Sequence, residues 1–81
     1  MKKIDFTQQI QELDQIINGN KLDEIEKQHL IELKEKLLSN NTTKSAIETK
    51  IIEIFKLLIM SIKLSDDLLD ILKNIIEHFS N

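Results

Sequence analysis

Apolar residues recur every three or four positions in four separate stretches of the chain, which is the spacing of helix faces rather than of strands. Phe6, Ile10, Leu13, Ile16 and Ile17 form one stripe and predict a first helix over about 6–18. Asp5 with Gln8 three positions later resembles a capping box at its start, and Asn18-Gly19-Asn20 offers a left-handed residue to end it. Leu22, Ile25, Leu30, Leu33 and Leu37 predict a second helix over about 22–38, with Asn20 as its cap. Asp23 and Glu24 then fall in its first turn, where the helix dipole favours negative charge. Ile31 and Leu38 lie on the far side of that stripe and in line with each other, as a second buried seam or an exposed patch.

Ser39-Asn40-Asn41-Thr42-Thr43 is a run of turn and cap formers that separates two helical hairpins without dividing the chain into domains. A third helix is predicted over about 44–62, with Ile47, Ile51, Ile54, Phe55, Leu58 and Ile62 on one face. Ile52, Leu57, Ile59 and Met60 make it apolar around most of its girth, as suits a helix at the centre of a bundle or in a partner contact. Ser65 is placed to cap a fourth helix over about 66–79, with Asp66 and Asp67 in the first turn and Leu64 as a hydrophobic staple. Leu68, Leu72, Ile75 and Phe79 form its stripe, flanked by Leu69, Ile71 and Ile76, while Asp70, Lys73, Asn74 and Glu77 face water. Four helices joined by short loops predict one all-α domain, an antiparallel up-down-up-down four-helix bundle.

Composition agrees. No Pro, one Gly, no Trp or Tyr and three Phe leave few strand or turn formers, so stability in 81 residues depends on every apolar stripe. Residues 1–40 hold six Lys and eight acids and the remainder five Lys and six acids, without Arg and without a basic face, which argues against nucleic acid as a partner. The absence of Cys excludes disulfides and thiolate metal sites and fits a reducing compartment, so the expected location is the cytoplasm. Met1-Lys2-Lys3-Ile4-Asp5-Phe6 turns polar too soon for a signal peptide, and Ile51 to Ile62 is short of the roughly 20 residues that span a bilayer. Association with a membrane is therefore expected to be peripheral at most.

Candidate chemistry is sparse. Glu26-x-x-His29 spells half of a di-iron bundle motif, but Ile75 stands three positions before His78 where the second copy needs a carboxylate, so both histidines read as surface residues and no metal or cofactor is expected. The serines Ser39, Ser45 and Ser65 fall at helix ends, where capping accounts for them, and Ser61 reads as a tolerated small residue within the third helix. Carboxylates fall in first turns or beside Lys at four-residue spacing, as Glu32 does with Lys36. An enzyme is not expected. Gln11-Glu12-Leu13-Asp14 resembles the core of a motif in small two-helix aspartyl-phosphate phosphatases that regulate sporulation, but Ile10 stands in the place of its Ser and no helix precedes it.

The segment Ser61-Ile62-Lys63-Leu64-Ser65-Asp66-Asp67, followed by the Leu-rich run Leu68 to Ile75, resembles the last helical hairpin of pediocin-like (class IIa) bacteriocin immunity proteins. In that family a basic residue, a bulky apolar one and a Ser or Thr cap join a long third helix to an acidic first turn. Lys63, Leu64, Ser65 and Asp66 stand in those places. The resemblance implies a cytoplasmic, non-enzymatic protein that binds the complex of a bacteriocin with its receptor, the mannose phosphotransferase permease. It further implies contacts near the corner or the end of the fourth helix, with Leu64, Ile76, His78 and Phe79 as anchors and Lys63 and Asp67 as orienting charges. Ordinary core packing is the competing reading for Leu64 and Ile76. Family members often carry a specificity segment beyond the fourth helix, whereas this sequence stops at Asn81. A phage-encoded or antitoxin-like regulator that grips one protein through Ile31 and Leu38 is the alternative, and either function suits a monomer or weak dimer.

Overall fold

Lys63, just past the third helix, meets Glu26 near the start of the second, and Lys50 further back meets Glu32 further on, so these two helices run antiparallel. In the computed structural model, which describes residues 6–39 and 43–79 (at Phe79 the backbone only), the helices are α1 (Thr7–Ile17), α2 (Glu24–Leu38), α3 (Lys44–Met60) and α4 (Asp66–Phe79). Each packs on its neighbours in the chain, and α1 closes the ring against α4, where the Phe6 ring stands edge-on to His78 at 5.3 Å. The result is the expected all-α, up-down-up-down four-helix bundle, with no strand among the described residues.

The core is built by the stripes. Leu13 from α1, Leu30, Leu33 and Leu37 from α2, Ile47, Ile51, Ile54 and Leu58 from α3, and Leu68, Ile71, Leu72 and Ile75 from α4 are buried together with Phe6 and Leu22. Each such side chain contributes roughly 1.5–3 kcal/mol by leaving water.

Several local expectations are corrected. The α2 cap is Asp23, not Asn20: its carboxylate accepts the Glu26 N–H while the Glu26 side chain accepts the Asp23 N–H, both at 2.9 Å. This reciprocal box outcompetes a single Asn cap, so the helix begins two residues later than expected. Gly19 is not left-handed, since no glycine has positive φ. It is instead a close-approach position, where a Cβ would stand 3.3 Å from the Ile16 carbonyl oxygen. Phe6, without a side-chain cap bond, occupies the N-cap of α1, and the Asp5 cap lies outside the described residues.

Two stripe positions are also corrected. Ile25 and Ile62, placed on buried faces by their spacing, are exposed. Nor does α3 sit at the centre of the bundle: Ile52, Ile59 and Met60 face outward, because in a four-membered ring every helix keeps one side to solvent. Of the second α2 line, Leu38 is exposed and Ile31 half-buried.

Candidate functional site

The α3–α4 corner is built from a helix ending that glycine normally makes. The Lys63 N–H donates to the Leu58 carbonyl at 2.9 Å and the Ile62 N–H to the Ile59 carbonyl at 3.2 Å, the paired bonds of a Schellman motif. Its left-handed position is occupied by Ile62, at φ 59°. For an L-residue that conformation is disfavoured by roughly 1–2 kcal/mol, and a β-branched side chain fits it worse than most. Ile62 is 92% exposed and Met60 beside it 85%, so neither side chain gives the core anything in return. The expected end of the third helix at Ile62 is thus moved back to Met60, with Ser61 as C-cap, its hydroxyl donating to the Leu58 carbonyl at 3.3 Å.

The turn is fastened from below. Lys63 Nζ donates to Glu26 Oε1 at 3.0 Å and lies 4.0 Å from Asp23 Oδ2. Glu26 is only 3% exposed. Burial pushes its carboxyl up, but the Asp23 N–H, Lys63 and Ser61 together outweigh it and hold the group below its ordinary value. On the other side Ser65 caps α4 as its position predicts, accepting the Leu68 N–H at 3.1 Å through its hydroxyl.

A second polar cluster lies between α2 and α3. Lys50 is 6% exposed and directs its ammonium to three acceptors: Glu32, Glu53 at 3.5 Å and His29 Nδ1 at 2.9 Å. The hydrogen bond and charge of Lys50 hold the Glu32 carboxyl below its ordinary value. Two hydrogen bonds, to Glu32 and His29, and an ion pair with Glu53 together compensate the buried ammonium. Glu32 thus reaches across to α3, and His29 is an interhelix acceptor rather than a bare surface residue. No group of three or more metal-ligating side chains occurs among the described residues. In the phosphatase-like string, Leu13 is core and Asp14 is paired with Lys34 at 2.7 Å.

The six residues singled out from the sequence do not form one patch. Lys63, Leu64 and Asp67 lie at the corner, while Ile76 and His78 lie roughly 14 Å and 16 Å beyond Asp67 along α4 at 1.5 Å per residue. Leu64 and Ile76 are partly buried against the core. Lys63 is tied to Glu26, Asp67 is exposed in the first turn of α4, and His78 is exposed with its ring against Phe6. The Phe79 side chain is outside the described residues. Ile62 continues the Ile54–Leu58 spacing, which is why the sequence pattern places it on the buried face although it is exposed. The signal against that reading was Lys63-Leu64-Ser65, which stops the helix too soon for Ile62 to reach the core.

No described helix is long and apolar enough to cross a membrane. Comparison with protein-family models, with curated proteins and with solved structures finds no match to this chain.

Proposed function

We propose that this chain is a bacteriocin immunity protein of the pediocin-like type, protecting its cell from the cytoplasmic side by binding the complex of bacteriocin and mannose phosphotransferase permease. The observation that carries the proposal is the α3–α4 corner, where the residues resembling that family coincide with a fastened turn that holds Met60 and Ile62 in solvent. A rigid bundle acts through its surface, and exposed apolar anchors within a polar rim are what a protein partner can grip. Lys63 supports this reading as part of the corner's fastening, and Asp67 as a charge on its rim.

The alternative, a phage-encoded or antitoxin-like regulator gripping through Ile31 and Leu38, is favoured by the exposure of Leu38. Expression in a strain sensitive to pediocin-like peptides separates the two. Survival against at least one peptide of a panel is expected, and unchanged killing across the whole panel overturns the immunity reading.

A further inference from the structure

The single glycine of the chain directly follows an asparagine, at the corner where α1 gives way to α2. Asn18 is exposed and forms the C-cap of α1, with φ −79° and ψ −7°. Gly19 does not adopt positive φ, so the turn makes no use of its left-handed freedom. Apart from its chain neighbours, only the carbonyl oxygens of Ile16 and Gln15 stand near the place a Cβ would take, at 3.3 and 3.7 Å. No other side chain screens the Gly19 nitrogen.

That nitrogen is held by one hydrogen bond, donated to the Ile16 carbonyl at 3.1 Å. Among the described residues, Asn20 and Lys21 donate no backbone hydrogen bond that would brace the turn from its other side. A helix end secured in this way opens locally far more often than the bundle unfolds. Opening lets the Asn18 ψ rotate and brings the Gly19 nitrogen to the side-chain carbonyl carbon of Asn18, two groups already tethered within one residue of each other.

We propose that Asn18 is a site of spontaneous deamidation in the folded chain, and that the modification weakens the α1–α2 corner. The Gly19 nitrogen gives up its proton and bonds to Asn18 Cγ, while the Cγ–Nδ2 bond breaks and the side-chain nitrogen leaves with that proton as ammonia. Water then opens the five-membered ring and returns a proton to the Gly19 nitrogen. Opening at Cγ yields aspartate, and opening at the main-chain carbonyl yields isoaspartate, in which the backbone runs through the former side chain. Water is the one co-reactant.

Both products act against the fold. Each sets a carboxylate at the C-terminal end of α1, where the helix dipole disfavours negative charge, and four residues from Asp14. Isoaspartate also lengthens the backbone just ahead of buried Leu22 and of Asp23, the cap of α2.

The test is incubation of the intact chain in buffer at neutral and at mildly alkaline pH, beside the same chain in denaturing urea, followed by peptide mapping with mass spectrometry and an isoaspartate assay. Exchange of NH for O is expected at Asn18, faster at the higher pH because the attacking nitrogen must lose its proton. Asn20 and Asn74, followed by Lys21 and Ile75, should stay intact over the same period. Gly19→Ala, whose fold is checked by its melting transition, should slow conversion severalfold, and Asn18→Gln should abolish it. Asn18→Asp, which reproduces one product, should shift the urea midpoint downward. A folded chain that stays intact while the chain in urea is converted, equal conversion at Asn20 or Asn74, an unchanged rate in Gly19→Ala, or an Asn18→Asp chain as stable as its parent overturns the proposal.

Discussion

The Lys63 ammonium lies 3.0 Å from the Glu26 carboxylate, joining residues 37 positions apart and tying the α3–α4 corner to the first turn of α2. Glu26 therefore serves two structures at once. It closes the capping box with Asp23, and it holds the residue that follows the left-handed Ile62. Loss of its side chain releases both, so Glu26→Ala is expected to lower the unfolding free energy by about 1–3 kcal/mol and to speed amide exchange across residues 61–65. Denaturant titration and hydrogen exchange measure the two effects.

Acid should weaken the fold in a defined direction. The Glu26 and Glu32 carboxyls both have native pKa values below the ordinary 4.5 to which unfolding returns them. A depressed carboxyl contributes its stability above the unfolded value and loses it as pH falls through the native one. The melting temperature is therefore expected to decline as pH falls below 4.5, and to decline less steeply in Glu26→Gln. An equally steep decline in that variant removes Glu26 from the explanation.

Ile62→Gly should stabilise the protein. Glycine adopts positive φ without crowding, and the lost side chain is 92% exposed, so little burial is forfeited. Strain relief, partly offset by the greater freedom of glycine in the unfolded chain, leaves a gain of about 1 kcal/mol. A shift of the denaturation midpoint to higher urea with unchanged slope is the expected result, and a destabilised variant contradicts the strained-turn account.

Lys50→Met should change little. Methionine matches much of the lysine's volume, and Glu32 and Glu53 are about half exposed, so their carboxylates turn to water instead of being stranded. Replacing a buried ion pair by a packed apolar side chain is often neutral or favourable, so the expected change lies within about 1 kcal/mol. A loss of several kcal/mol in equilibrium unfolding would show that the cluster organises the α2–α3 interface.

Core and cap substitutions should differ in scale. Leu72 is fully buried and Leu72→Ala is expected to remove about 2–5 kcal/mol, a large share of the roughly 5–15 available to a small domain. Ser65→Ala, which deletes the acceptor for the Leu68 N–H, should remove about 1 kcal/mol. Chemical denaturation of both variants gives the comparison.

What the sequence determined by itself was the number of helices, their apolar faces, the corner at Ser65 and the bundle that follows, because helical spacing and capping act over three or four residues. It could not decide which ends of those stripes reach the core. Ile25 and Ile62 fit the spacing of their helices, yet each lies near a terminus where the neighbouring helix no longer covers it. The buried partnerships of Glu26 with Lys63 and of Lys50 with His29 and Glu32 were equally illegible. They join residues 18 to 37 positions apart, and a charge enters the interior only where tertiary packing brings its partner within hydrogen-bond distance.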